Sequence, residues 1–127
     1  MNASSVHSAV VIEDDAEIRH LIAAVLERAG LHVVAAATGR EGVAAVREAN
    51  PVVITVDIRM PGIDGIETIR RIRSVSDALI VVVSAVTATH QEDASLAAGA
   101  DLYMTKPFRP RDLRDRVDER LQSLRDV

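Results

Sequence analysis

The chain has 127 residues, 48% of them hydrophobic and 27% charged, which are the proportions of a single globular domain with its own core. Its formal charge of −4 argues against direct nucleic-acid binding through a basic surface. The lack of cysteine excludes disulfides and thiolate metal sites, and no apolar run is long enough for a signal peptide or a membrane span. We therefore expect a cytoplasmic protein without a membrane partner.

The first third of the chain alternates between apolar runs and helical periodicity. A short polar segment, 1–8, predicts a flexible tail, and residues 9–12 predict a strand that ends in the acids Glu13, Asp14 and Asp15. Apolar residues then recur at helical spacing from 18 to 29, and residues 31–36 predict a second strand. Thr38 and Glu41 form a T-x-x-E capping box, which predicts a helix from about 39 to 49.

The third predicted strand, 52–56, is a continuous β-branched and apolar run, typical of a strand buried on both faces. It ends at Asp57, and the turn residues Met60-Pro61-Gly62 and Asp64-Gly65 follow. A carboxylate at this position costs free energy unless it has a partner or a function. Asp57 is therefore either a site residue or a cap of its own loop.

The remainder of the chain continues the alternation. A third helix follows around 66–72, with arginines 70, 71 and 73 interpreted mostly as a solvated face and alternatively as a partner surface. A fourth strand, 79–83, leads to Ser84, and a weakly amphipathic, Ala-rich helix covers 90–98. A fifth strand, 101–105, leads to Lys106, the one lysine among fifteen basic residues, and a last helix follows it.

Five strands alternating with five helices predict an α/β fold, a doubly wound parallel sheet of the flavodoxin-like order 2-1-3-4-5. In that order the carboxyl ends of strands one, three, four and five are neighbours. Polar side chains follow each of them: Glu13, Asp14, Asp57, Ser84 and Lys106. The sequence thus predicts one cluster of three carboxylates, a hydroxyl and an ammonium group beside the switch point of the sheet.

The chemistry of this cluster suggests metal-assisted phosphoryl transfer. Adjacent carboxylates repel one another, and a hard divalent cation bound by oxygen would relieve the repulsion, which favours Mg²⁺, with Mn²⁺ or Ca²⁺ as substitutes. A carboxylate beside the metal can attack phosphorus and form an acyl phosphate. Lys106 would offset the charge on the phosphoryl oxygens, and Ser84 could donate a hydrogen bond to one of them. No general base for water is evident, so the site suits accepting a phosphoryl group better than turnover.

Four motifs carry a family resemblance: IEDD at 12–15, VDIRMPGIDG at 56–65, VVSA at 82–85 and AGADLYMTKPF at 98–108. Together they resemble the receiver, or CheY-like, domain of two-component response regulators, over about residues 9–125. The resemblance implies Asp57 as phosphoacceptor and Mg²⁺ held by Asp14 directly, by Glu13 through water and by the backbone carbonyl of Arg59. It also implies Lys106 at the phosphoryl group, Pro107 after a cis peptide bond, and the following switch pair: Ser84 and Tyr103.

The resemblance further implies a signalling role rather than an enzyme. The donor would be a sensor histidine kinase or a histidine phosphotransfer protein, and the surface of the fourth helix, fifth strand and fifth helix would change on phosphorylation. We expect no output domain in this chain, a downstream protein or a C-terminal output domain as target, and a phosphorylation-dependent homodimer as a further state. Val86 and Arg59 stand where this family tunes acyl-phosphate lifetime, and apolar Val86 is expected to slow hydrolysis.

Three alternatives remain open at this point. A phosphohydrolase acting through an aspartyl phosphate typically has a second Asp two residues after the nucleophile, where this chain has Arg59. A flavodoxin-like binding module would need a phosphate loop after strand one, where this chain has acids. A receiver-like module that works without phosphorylation would normally lack one of the cluster residues. Tyr103 could also be an ordinary half-buried strand tyrosine.

Overall fold

A computed structural model of the chain describes residues 6–59, 62–85 and 89–126. Its five strands form one parallel sheet in the predicted order 2-1-3-4-5. The strands are β1 Ser8–Ile12, β2 His32–Ala36, β3 Val53–Val56, β4 Leu79–Ser84 and β5 Leu102–Thr105. The helices are α1 Ala16–Arg28, α2 Gly39–Ala49, α3 Gly65–Arg73, α4 Thr89–Ala98 and α5 Pro110–Arg125. The predicted fold class is confirmed.

Two apolar layers cover the sheet, one on each face. Successive residues of a strand point to opposite faces, so Val10 packs on one side and Val11 on the other. The first layer joins the sheet to α2 and α3, and the second joins it to α1 and α5. Because β1, β3 and β4 are buried on both faces, they fix the positions of the residues that follow them.

Local capping sets where the first three helices begin. Asp15, Thr38 and Asp64 are the N-caps, and each side chain accepts a hydrogen bond from a backbone N–H three residues later. The Glu41 carboxylate accepts a hydrogen bond from the N–H of Ala37, the residue before the N-cap Thr38. In a standard capping box it would accept from the N–H of the N-cap itself. Asp15 therefore caps α1.

Some predicted boundaries shift. β1 begins at Ser8, which pairs with His32 of β2, so the predicted tail 1–8 is too long at its end. Residues 1–5, the predicted turn residues Met60-Pro61, and Val86 with its predicted effect on hydrolysis lie outside the described residues. Within the described ranges, no helix is both long enough and apolar enough to cross a bilayer.

The arginines of α3 divide into two kinds. Arg70 and Arg71 pair with Glu67 on the solvated surface. Arg73 instead makes structural contacts, so the prediction of a mostly solvated face is wrong for this one arginine. All five guanidinium N–H groups of Arg73 donate hydrogen bonds. The acceptors are Gly99 O (3.0 and 2.8 Å), Ser76 O (3.0 Å), Ala78 O (2.9 Å) and Asp101 Oδ2 (2.9 Å). Arg73 thus joins the ends of α3 and α4 to the starts of β4 and β5.

We expect Arg73→Met to lower the free energy of unfolding by about 2–4 kcal/mol, because several carbonyl groups lose their donors at once. Arg71→Met removes a surface pair only, and should change it by less than about 0.5 kcal/mol. Urea unfolding followed by circular dichroism measures both variants. Equal effects of the two substitutions would contradict the structural role of Arg73.

Candidate functional site

The predicted site residues come together at the carboxyl edge of the sheet. Backbone hydrogen bonds extend the strand pairing beyond the strand ends and fix each residue. Glu13 N donates to Ala36 O (3.0 Å), Asp57 N to Ile12 O (3.0 Å) and Lys106 N to Ser84 O (2.7 Å). Main-chain geometry alone therefore places these residues side by side.

The site is mostly buried. Glu13, Asp57 and Ser84 expose 1%, 6% and 0% of their surface, and the Lys106 side chain exposes 14%. Asp14 is exposed at the rim. Two buried carboxylates beside one ammonium group give a desolvated cluster, in which each interaction is stronger than in water.

Lys106 lies between the two buried carboxylates. Its Nζ is 2.9 Å from Glu13 Oε1 and 3.7 Å from Asp57 Oδ2. The other Glu13 oxygen, Oε2, accepts a hydrogen bond from Asp15 N at 3.2 Å. The tighter partner of Lys106 is therefore Glu13, a pairing that the sequence did not predict.

The three predicted carboxylates can serve one metal ion. Glu13, Asp14 and Asp57 each offer an oxygen atom, and these atoms lie within 4.8 Å of one another. The all-oxygen donor set fits a hard divalent cation such as Mg²⁺. Arg59 N donates to Asp57 Oδ1 at 3.3 Å, so the segment after β3 turns back toward Asp57. A metal-ligand role for the Arg59 carbonyl stays a prediction.

Burial raises the pKa of the Glu13 carboxyl to about 7. Desolvation is the largest cause, and the Asp57 carboxylate adds to it, while hydrogen bonds from Lys106 and the Asp15 N–H act in the opposite direction. The surroundings of Glu13 therefore favour its protonated form over a second carboxylate charge beside that of Asp57.

The proposed switch residues occupy neighbouring strands. Ser84 at the end of β4 is fully buried, and Tyr103 on β5 lies opposite Val82 of β4. The Tyr103 ring is half-buried and packs against the apolar layer that includes α3. An ordinary strand tyrosine would lie in the same place, so the switch role stays a prediction. The peptide bond before Pro107 is cis, as the resemblance implies.

Two features beside the site were missed by the sequence analysis. Arg19 on α1 donates to Glu13 O (2.9 Å) and to Asp14 O (3.4 Å), behind the acidic pair. Beside Lys106, an apolar cleft of about 470 Å³ is lined by Ile18 and Leu21 of α1 and by residues 85 and 106–108. Leu21 is 44% exposed, although its helical spacing is also that of a core residue.

The comparisons with known proteins agree with this geometry. The family model for the response regulator receiver domain matches residues 9–118. The DNA-binding response regulator MtrA of Mycobacterium tuberculosis is 35% identical over 113 residues, which are 89% of this chain and 50% of that protein. The uncharacterized transcriptional regulatory protein YrkP of Bacillus subtilis is 41% identical, over 89% of this chain and 48% of that protein. The chain spans about half the length of these curated relatives.

Solved structures give the same result. The crystal structure of a CheY-like receiver domain protein from Methanospirillum hungatei has a TM-score of 0.89 at 28% identity, covering 96% of this chain and 98% of that one. The BeF₃-activated N-terminal receiver domain of Klebsiella pneumoniae RstA has a TM-score of 0.83 at 30% identity, covering 90% and 97%.

The raised pKa of Glu13 predicts a pH-dependent stability of the metal-free protein. Between the ordinary value of 4.5 and about 7, the native state holds a proton that the unfolded chain has lost. The free energy of unfolding should therefore fall as pH rises through this window, by roughly 3 kcal/mol in total, and Glu13→Gln should remove that fall. Urea unfolding in EDTA at pH 4 to 8 measures it. Parallel pH profiles for the wild type and Glu13→Gln would refute this assignment. The Asp14→Asn variant, which changes an exposed carboxylate, is the matched control.

Proposed function

The chain belongs to the response regulator receiver family, and on this basis we propose that it is a phosphorylation-dependent switch whose phosphoacceptor is Asp57. The phosphoryl group would come from a phosphohistidine on a sensor histidine kinase or a histidine phosphotransfer protein. The observation that carries the proposal is the single buried cluster in which Asp57 lies beside Lys106 and the acidic pair. The alternative is a receiver-like interaction module that works without phosphorylation.

The chemistry is a transfer between two nucleophiles. An Asp57 carboxylate oxygen would form a bond to phosphorus while the phosphorus–nitrogen bond to the donor imidazole breaks, and the imidazole, which already carries a proton on its other ring nitrogen, would leave as the neutral ring with the electron pair of the broken bond. Lys106 Nζ, 3.7 Å from Asp57 Oδ2, would contact an incoming phosphoryl oxygen and give up part of its contact with Glu13. Mg²⁺ held by Glu13, Asp14 and Asp57 would supply further charge compensation.

The site favours keeping the phosphoryl group over rapid turnover. The carboxylates of Glu13 and Asp14 beside Asp57 belong to the proposed metal set, and the position of a second catalytic Asp holds Arg59. The protein would therefore support its own phosphorylation and slow dephosphorylation without acting as a turnover enzyme. This distinguishes the proposal from a phosphohydrolase.

The output would be a change of the surface formed by α4, β5 and α5. A phosphoryl group on Asp57 would draw the Ser84 hydroxyl toward it, and Tyr103, half-buried on the neighbouring strand, would move inward. Such a step shifts a two-state equilibrium. The target would be a downstream protein or an output domain, since the curated relatives are about twice as long as this chain. A homodimer formed on phosphorylation is a further proposed state.

The surface beside the site offers a docking area for a protein donor. Asp57 is only 6% exposed, so its donor must approach closely. The cleft formed by Ile18, Leu21 and Phe108 offers apolar area next to Lys106, where the helix that carries the phosphohistidine would pack.

Intact mass after incubation with acetyl phosphate and Mg²⁺ tests the acceptor role. We expect one added phosphoryl group on the wild-type protein and none with EDTA or in Asp57→Asn. Beryllofluoride should also change the fluorescence of Tyr103, the one tyrosine of the chain. Failure to form an adduct even at short incubation times, with no beryllofluoride response, would favour the phosphorylation-independent module.

Leu21→Ser should separate the two kinds of donor. We expect about tenfold slower transfer from a phosphorylated histidine phosphotransfer domain that phosphorylates the wild type, because apolar contact area is lost. The rate with acetyl phosphate should stay unchanged. Leu96→Ser on α4 is the matched control, since Leu96 is 42% exposed and Leu21 is 44% exposed. Equal rates for both variants would argue against docking on α1.

A further inference from the structure

Arg19 lies behind the acidic pair, on the first turns of α1. Its Nη1 donates to Glu13 O at 2.9 Å and makes a longer contact with Asp14 O at 3.4 Å. These are the backbone carbonyls of two of the three residues whose carboxylates form the cation site. The side chain is only partly exposed, which reduces screening of these contacts by water.

We propose that Arg19 is a positioning residue for the divalent-cation site: it holds the turn between β1 and α1 so that the carboxylates of Glu13 and Asp14 face Asp57. This inference rests on the metal site of the proposed function. Arg19 would not touch the metal or the phosphoryl group. It would act on the ligands through their main chain, as outer-shell partners do in other metal sites.

The rest of the turn is restrained from other directions. Glu13 N donates to Ala36 O at 3.0 Å, and Asp15 N donates to Glu13 Oε2 at 3.2 Å. Asp15 in turn caps α1 by accepting from Ile18 N. Asp14 is exposed, and the Arg19 contact at its carbonyl adds a link between its backbone and α1. Without Arg19, the carboxylate of Asp14 would be the least restrained of the three carboxylates.

The electrostatic effect of Arg19 has the opposite sign to its positioning effect. A guanidinium group near a cation site repels the cation, so if charge alone mattered, removing Arg19 would strengthen metal binding. If Arg19 positions the ligands, removing it weakens metal binding despite the lower repulsion. The sign of the change therefore decides between the two roles.

The experiment measures Mn²⁺ binding to the phosphate-free protein from the electron paramagnetic resonance signal of free Mn²⁺. We expect Arg19→Met to raise the Kd for Mn²⁺ by about tenfold or more. Arg19→Lys keeps the charge and one donor, and should recover part of the affinity. Arg28→Met, an exposed residue in the last turn of the same helix, is the charge-matched control and should leave the Kd within about twofold.

The outcomes separate the two proposals. Unchanged or tighter Mn²⁺ binding by Arg19→Met, with a wild type that binds Mn²⁺ and is phosphorylated, overturns the role of Arg19 alone. A wild type that binds no Mn²⁺ overturns both this inference and the metal site on which it rests. Thermal unfolding of the metal-free proteins establishes that the variants are folded. If Arg19→Met does not fold, Arg19→Lys decides at unchanged charge: a raised Kd supports the positioning role, and a Kd equal to that of the wild type overturns the role of the Nη1 contacts.

Discussion

One ammonium group between two buried carboxylates is the interaction on which the site depends. Lys106 Nζ contacts Glu13 and lies near Asp57, and both acids are almost completely removed from water. Burying a charge is costly, and one ammonium cannot fully compensate two carboxylates. The raised pKa of Glu13 is the direct result. Any added positive charge would stabilise this cluster. Its geometry therefore suits a divalent cation and the phosphoryl chemistry that such an ion supports.

The fold supplies this arrangement through its main chain. β1, β3 and β4 are buried on both faces, and the hydrogen bonds that continue past their ends place Glu13, Asp57 and Lys106 at one edge. No pairing between the acidic side chains is needed to bring them together, since they would repel one another. The free energy that assembles the cluster therefore comes from the two apolar layers of the core, and the site uses part of that stability.

Sequence patterns predicted the sheet order from the alternation of five strands with five helices, the Thr38 cap from its capping box, and the cluster from the polar residues at the strand ends. They did not predict Asp64 as the cap of α3. They did not predict the contacts in which a helix arginine donates hydrogen bonds to backbone carbonyls outside its own helix. The hydrogen bonds from Arg73 to Gly99 and from Arg19 to Glu13 leave no periodic signal in the sequence. A helix arginine is predicted to be solvated whether or not it makes such a contact. Leu21 shows the same limit, since helical spacing identifies an apolar stripe but not the edge at which the stripe becomes exposed.

The two arginine contacts lie at opposite ends of the sheet, and this constrains how a switch could work. At the end remote from Asp57, Arg73 and Asp101 hold Gly99, the first residue after α4, to the starts of β4 and β5. Among the described side chains of α4, only that of Ser95 is fully buried, so little apolar area fixes the rest of this helix. In the proposed switch, a change at Ser84 would therefore move the site end of α4 against a fixed far end. Because Lys106 N donates a hydrogen bond to Ser84 O, the same change would reach β5 and Tyr103 through the main chain.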